Sequence, residues 1–312
     1  MLKPRYASDP NQLSGALLPR EDANNIIWIA SYPGSGNTWV RAFVHNLLNE
    51  LAGGSYSAQD INRLSEHTAW IATEHFERAT GKPIVAMSRR EVAKIRPEVQ
   101  RQLSNTKSGP FFVKTHMAVG YDFQFPTINL NATLAGVYIV RNPLDVSISF
   151  ARCWDKSIDD TIAMMGTEDF KSSTTKLTVS EFLGSWSQNV ASWVAITRRP
   201  VHILRYEDML DNPLRSFSNL ARFLRMSASE AQLRAAIAKS SFAELKRQEE
   251  QHGFNERPAT TRRFFREGHA GRWRDELARA QIQDIVRTHA PMMQRFGYLP
   301  PDCSMFGSRP AT

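Results

Sequence analysis

Four short stretches of this chain carry residue types that could act on an anion. The first is Tyr32-Pro33-Gly34-Ser35-Gly36-Asn37-Thr38-Trp39. Its glycines let backbone N–H groups converge on an anion, and a helix starting behind them adds a favourable partial charge. Ser35, Asn37 and Thr38 can donate side-chain hydrogen bonds. The same composition suits an ordinary turn between a strand and a helix, so the glycines alone leave both readings open. The second stretch is Lys114-Thr115-His116. A histidine near its ordinary pKa of about 6.5 can take a proton at neutral pH. Lys114 lies two residues earlier, so on an extended segment both side chains point to one side. A cation there could stabilise charge gathering on a leaving group. The third stretch pairs Arg141 with Ser149, eight residues later. That spacing is a little over two helical turns, which lets Ser149 lie under the loop that carries Arg141. A guanidinium fork suits phosphate oxygens. The fourth is the most basic stretch, with Arg262, Arg263, Arg266, Arg272 and Arg274 around Gly268. Charge runs are ordinarily solvated, but a glycine there lets backbone approach an anion closely.

These residues need elements to position them. Ile26-Ile27-Trp28-Ile29-Ala30 is short, apolar and β-rich, and predicts a buried strand. Beyond the glycine loop, Trp39, Val40, Phe43, Val44, Leu47, Leu48 and Leu51 recur at helical spacing until Gly53-Gly54. The theme repeats: strands are predicted at 111–113, 136–140 and 201–204. A helix follows the third of these through Val146, Ile148 and Phe150, with Pro143 in its first turn. After the last strand, Tyr206-Glu207-Asp208 reads as a loop leading to a helix around Leu214, Phe217, Leu220 and Leu224. Strands alternating with amphipathic helices predict an α/β fold, with a mostly parallel central sheet flanked by helices. In such sheets ligands bind beyond the carboxyl ends of the strands, so the loops after these strands are the informative ones. Residues 155–178 and 251–272 show little periodicity and are read as long loops.

The chain has 312 residues, enough for a large single α/β domain. We expect that domain over residues 24–303, after an extension over 1–23 and before a frayed tail over 304–312. Thirty-nine Lys and Arg against thirty-one Asp and Glu give a formal net charge of +8, which favours an anionic partner without choosing it. Cys153 and Cys303 cannot build a disulfide framework or a cysteine-rich zinc site, and are expected as reduced thiols. The first residues lack the apolar core of a secretory signal, and no apolar run is long enough to span a bilayer, so a cytoplasmic protein is expected.

The whole string from Tyr32 to Trp39 is more specific than its glycines. It resembles the 5′-phosphosulfate loop of sulfotransferases that use 3′-phosphoadenosine 5′-phosphosulfate (PAPS). Three further segments match that family in its order. Lys114-Thr115-His116 is similar to its Lys-Thr-His motif. Arg141 to Val146, with Ser149, looks like its 3′-phosphate-binding motif. Arg266-Glu267-Gly268-His269-Ala270-Gly271-Arg272-Trp273 is similar to its late Arg-Lys-Gly-x-x-Gly-x-Trp motif. The resemblance spans 26–273 and implies a P-loop-like nucleotide-binding architecture. It implies PAPS as co-substrate, no metal, His116 as catalytic base and Lys114 at the transferring group. It implies cofactor binding by Ser35, Gly36, Asn37, Thr38, Trp39, Arg141, Ser149, Tyr206, Phe242, Arg266 and Gly268, with Trp39, Tyr206 and Phe242 around the adenine. Two departures stand out: the family loop often has lysine where this chain has Gly34, and Glu267 replaces the usual lysine of the late motif. The short dimer motif of the animal cytosolic enzymes has no match after Trp273, so the oligomeric state stays open.

The expected reaction is in-line transfer of a sulfuryl group to a hydroxyl of a small-molecule, lipid or carbohydrate acceptor, an amine being the lesser choice. Two alternatives remain: a P-loop-like kinase or ATPase, and a nucleotide-binding relative without transfer activity. The kinase reading lacks the Gly-Lys-[Ser/Thr] ending such loops need. A nucleic-acid partner is not expected, because the charge excess is modest and gathers near a nucleotide motif. The acceptor is expected to be set by 67–80, 155–178 and 251–263; His67, Trp70, His75, Phe76, Met164 and Met165 in the first two read equally as pocket lining or as packing.

Overall fold

The computed structural model describes residues 25–53, 60–67, 69–106, 109–257, 261, 263–265 and 268–301. The expected extension over 1–23, the tail over 304–312, Cys303, Arg262, Arg266 and Glu267 lie outside the described residues. In chain order the elements are β1 (Ile26–Ser31), α1 (Asn37–Leu51), α2 (Thr73–Thr80), α3 (Arg89–Asn105), β2 (Phe111–Thr115), β3 (Tyr121–Asp122), β4 (Phe125–Pro126) and β5 (Thr133–Val140). They continue with α4 (Pro143–Trp154), α5 (Ile158–Gly166), α6 (Trp186–Val194), β6 (Val201–Arg205), α7 (Tyr206–Asp211), α8 (Pro213–Phe223), α9 (Glu230–Lys239), α10 (Phe242–His252), α11 (Trp273–Glu276) and α12 (Arg279–Phe296).

Four strands pair in parallel in the order β2-β1-β5-β6, and β3 and β4 form a separate small hairpin. β1 is buried along its whole length, which is why it carries no polar alternation. Its side chains divide between two cores, as the two-residue period of a strand requires. Ile27 and Ile29 pack with Phe43, Leu47, Phe217 and Leu220, beneath α1, α8 and α9. Ile26, Trp28 and Ala30 pack on the other face with Trp186, Val190, Trp193 and Phe296, beneath α6 and α12. Trp28 keeps its indole N–H satisfied through Thr133 Oγ1 at 2.8 Å.

The register positions the site. Ala30 lies beside Thr115 and Tyr138, and Val140 lies beside Arg205. The residues that leave the ends of the four strands are therefore Tyr32, His116, Arg141 and Tyr206. Three of these four are predicted site residues.

Two expectations change. Tyr206-Glu207-Asp208 is the first turn of α7, not a loop. Residues 155–178 contain α5, started by Ser157, whose Oγ accepts from Asp160 N at 3.0 Å. Ile158, Ile162 and Met165 are its apolar face. The Ser-x-x-Asp start and the first-turn acids were the available signal, masked by the polar residues that follow.

Two histidines have no part in the site and report on stability. His289 is buried against the edge of Trp186, 2.8 Å from Ser187 Oγ, and burial pushes it down to about 4. His202 stacks on Phe223 and is likewise pushed down to about 4 by burial. Both are neutral in the fold and take up a proton near pH 6.5 once unfolded. The unfolded chain thus binds more protons, and stability falls as pH drops from about 6.5 towards 4, by up to about 1.4 kcal/mol per pH unit for each histidine. Urea midpoints at pH 7.5 and pH 5 check this, and His289→Gln should flatten the slope. Equal midpoints at the two pH values would contradict it.

Candidate active site

The glycine loop is shaped by two left-handed residues, Gly34 at φ +81° and Gly36 at φ +98°. Gly36 is the N-cap of α1, and no side chain caps the helix. Trp39 N already donates to Gly36 O at 3.1 Å, so it is the amides before it that are left for an anion. Asn37 Nδ2 donates to Ile29 O at 2.9 Å and lies 3.4 Å from Ser31 Oγ, tying the loop back to β1. The buried Ser35 Oγ, Asn37 Oδ1 and Trp39 Nε1 have no hydrogen-bond partner among the described residues. Buried polar atoms are rarely left so, and those of Asn37 and Trp39, which line the cavity described below, fit a polar ligand at this loop. A Cβ at Gly36 would lie 2.6 Å from the Tyr206 ring, so only glycine lets helix and ring approach this closely.

Arg141 follows β5 and is 9% exposed. Its guanidinium lies 4.3 Å over the Tyr206 ring, its Nη1 donates to Gly34 O and its Nη2 to His269 O, each at 2.9 Å. Its Nε is buried without a partner. Asn142 caps α4, its Oδ1 accepting from Leu144 N at 3.0 Å. The helix then brings Ser149 beneath the loop, where a Cβ on Gly34 would sit 3.1 Å from its Cβ and Oγ. Asp145 accepts from Gly271 N at 2.7 Å and Trp273 N at 3.2 Å, fastening the late glycine segment to α4. There Gly268, at φ +65°, meets the Phe242 ring, which an added Cβ would approach to 2.5 Å. Trp39 packs edge-on against Tyr206, ring centres 5.8 Å apart.

One cavity of about 560 Å³ is lined by Gly36, Asn37, Thr38, Trp39, Arg141, Ser149, Tyr206, Phe242 and Gly268, together with Lys114 and His116. Of the described predicted residues, Ser35 alone is buried behind the wall rather than in it.

His116 Nδ1 lies 2.8 Å from Ser31 O. A carbonyl only accepts, so Nδ1 carries the hydrogen and Nε2 keeps its lone pair. The ring's pKa is pushed down to about 3 by burial, with Lys114 and Arg41 acting in the same direction. It is neutral at pH 7. The backbone is held on both sides: His116 N donates to Glu181 Oε1 at 3.3 Å, and Asn189 Nδ2 donates to His116 O at 2.9 Å. Trp70 Nε1 donates to Lys114 O at 2.9 Å, and Lys114 Nζ pairs with Glu256 Oε2 at 3.1 Å.

The description of the sulfotransferase domain matches residues 24–297. The chain belongs to the sulfotransferase family. As a member it is a transferase with PAPS as co-substrate. It is 25% identical over 287 residues to sulfotransferase 1A1 of Canis lupus familiaris, covering 86% of this chain and 83% of that protein. It is 23% identical over 293 residues to flavonol 4′-sulfotransferase of Flaveria chlorifolia, covering 88% and 82%. Among solved structures it is similar in fold to mouse sulfotransferase SULT7A1 complexed with PAP, with a TM-score of 0.53, 16% identity and 93% of each chain covered. It is also similar to retinol dehydratase in complex with androsterone and inactive cofactor PAP, with a TM-score of 0.57, 20% identity, and 91% and 84% covered.

The segments expected to set the acceptor line the cavity only in part. Trp70, Phe76 and Met165 are core residues, and Met164 packs against that core. None of them lines the cavity, nor does His75. The side chain of His67 lies outside the described residues. Residues 155–178 supply no wall either; their flanks do, through Trp154 on one side and Glu181 and Leu183 on the other. Ile148 and Phe264 complete an apolar lining, and Glu256, Thr261 and Arg263 enter from 251–263. Sequence reasoning also missed Arg41, Glu181 and Glu256. Burial pushes the Glu181 carboxyl above its ordinary value, and Lys114 and Arg96 oppose that shift. All three lie outside the four motifs, and although Glu256 falls in 251–263, nothing local singled out any of them.

Proposed function

We propose that this sulfotransferase transfers a sulfuryl group to the hydroxyl of a small-molecule acceptor by in-line attack, with His116 as general base. The observation that supports this best is the committed tautomer of His116: Nδ1 is bound to Ser31 O, which leaves the lone pair on Nε2, and the residue lines the same cavity as the anion loop. PAPS, when bound, supplies an activated sulfuryl group and a stable bisphosphate leaving group. The chain's part is to bind, orient and move one proton. The amides around Ser35 to Thr38 receive the 5′-side anion. Trp39, Tyr206 and Phe242 wall the adenine, and Arg141, Ser149, Gly268 and, by resemblance, Arg266 receive the 3′-phosphate. His116 Nε2 takes the acceptor hydroxyl's proton as its oxygen bonds to sulfur. Negative charge brought into the cavity raises the imidazole from its low resting value, so the ring is a better base when the site is filled. The apolar wall of Ile148, Trp154, Leu183 and Phe264 favours an acceptor with an apolar body, including a lipid, over a bare carbohydrate. No described helix is long and apolar enough to cross a membrane.

Thermal shift separates this from the other readings. Adenosine 3′,5′-bisphosphate should raise Tm, and ATP with Mg²⁺ or an oligonucleotide should not. Stabilisation by the last two alone would refute the proposal. Acceptor screening with radiolabelled PAPS then names the acceptor. Lys114→Ala should lower kcat more than about tenfold, roughly 1.4 kcal/mol of barrier, with affinity for adenosine 3′,5′-bisphosphate held within about threefold. A smaller loss in kcat would remove Lys114 from the transfer step.

A further inference from the structure

Lys114 does not meet the cavity as an isolated charge. The carboxylate that holds it, Glu256, also takes both Nη atoms of Arg41, at 2.6 and 2.7 Å. The Arg41 side chain has no exposed surface, while Glu256 and Lys114 are 12% and 22% exposed. Arg41 is fixed in turn: Nη1 donates to Leu64 O at 2.8 Å and Nη2 to Thr38 Oγ1 at 3.2 Å. A guanidinium rooted in α1 beside the anion loop, a carboxylate from the segment after α10 and an ammonium from the end of β2 thus form one cluster. Its formal charge is two positive and one negative. None of the four motifs contains Arg41 or Glu256.

The Arg41–Glu256 pair is complete without the lysine. Its fork geometry is bidentate, and a bidentate guanidinium holds a carboxylate in one orientation. Lysine is the opposite kind of group, a hydrated point charge on a flexible four-carbon stem. Left to itself, Nζ would sample many positions along the cavity wall, and ordering it would cost side-chain entropy. Position matters here because displacement of a charged group by about 1 Å can cost about a hundredfold in rate. It matters more because Gly34 contributes no cation to the loop. Glu256 stays charged: burial would push its carboxyl up, but Lys114 and Arg41 together hold it at about 2. It also opposes the lowering of the His116 pKa by its two cationic partners.

We propose that Arg41 and Glu256 are positioning residues for sulfuryl transfer: Arg41 pins Glu256, and Glu256 holds Lys114 Nζ in the cavity wall beside His116. The inference rests on the transfer reading above, and its test separates the two.

The test uses the full chain with Glu256→Gln, Lys114→Ala and the two combined. Glu256→Gln should lower kcat about ten- to a hundredfold, while the Kd for adenosine 3′,5′-bisphosphate, which lacks the sulfuryl group, moves less than about threefold. Adding Lys114→Ala to Glu256→Gln should cost less than about threefold more, because residues that act as a unit are not additive. A readout without ligand or turnover accompanies these. Acetylation of Lys114 by a soluble active ester, followed by mass spectrometry against exposed Lys82, should speed up in Glu256→Gln as Nζ leaves its tether. If leaving Arg41 unpaired prevents folding, the charge-free pair Arg41→Leu with Glu256→Leu leaves no orphan charge and carries the same expectations. Unchanged kcat, independent multiplication of the two losses, or unchanged Lys114 labelling would each overturn the proposal. A wild-type protein that moves no sulfuryl group from PAPS would overturn the transfer reading instead, and the labelling result would still judge the tether.

Discussion

His116→Ala should lower kcat by about a hundred- to ten-thousandfold, the range a positioned general base supplies, or about 3–5 kcal/mol of barrier. The geometry argues for the upper part of that range. The ring cannot change its tautomer without losing the 2.8 Å bond to Ser31 O, so one nitrogen is committed and the other is permanently available. Alanine also removes the group that receives the proton while leaving the nucleotide wall intact. The affinity for adenosine 3′,5′-bisphosphate should accordingly stay within about threefold, which makes the loss one of transition-state stabilisation rather than binding. Single-turnover rates and calorimetry on the same preparation check both halves. A variant within tenfold of wild type would mean that the proton leaves by another route.

Gly36→Ala should damage binding and stability together. Two costs coincide at this position. An L-residue at φ +98° carries about 1–2 kcal/mol of backbone strain. Its Cβ would also sit 2.6 Å from the Tyr206 ring, which is trapped between Trp39 and the Arg141 guanidinium and has little room to yield. Moving that ring disturbs the adenine wall and the arginine at once. We expect a fall in Tm of several degrees and a loss of about ten- to a hundredfold in affinity for adenosine 3′,5′-bisphosphate. Gly53→Ala is the control. Gly53 has φ +70° but nothing within 4 Å of an added Cβ, so it should show the backbone cost alone, with nucleotide affinity unchanged. Equal behaviour of the two variants would mean that the Tyr206 contact is unimportant.

The donor half of this site was legible in the sequence because each of its parts is written locally. The change from a buried strand to a helical period across two glycines needs only the residues from Ile26 to Leu51. Arg141 and Ser149 are joined by one helix. The parallel register then brings His116, Arg141 and Tyr206 to one edge without further information. The acceptor half was not legible, because its wall is assembled from the ends of distant elements. Trp154 closes α4, Leu183 precedes α6 and Phe264 lies in the late segment, and no period or spacing links them. Residue type alone left Trp70 and Phe76 open between pocket lining and packing. The aromatic ring of Trp70 serves the core, packed edge-on to Trp28. The Arg41–Glu256 pair spans 215 residues of sequence, and a lone arginine on an amphipathic helix ordinarily reads as surface.

The walls proposed for the nucleotide and for the acceptor line one cavity, together with Lys114 and His116. In the direct in-line transfer proposed above, the His116 imidazole takes a proton and no covalent enzyme intermediate forms. Both reactants must therefore be resident at once. Velocity plots drawn at several fixed acceptor concentrations should converge rather than run parallel. Product left in the nucleotide half should still admit a fresh acceptor, so that excess acceptor slows turnover by forming a dead-end complex.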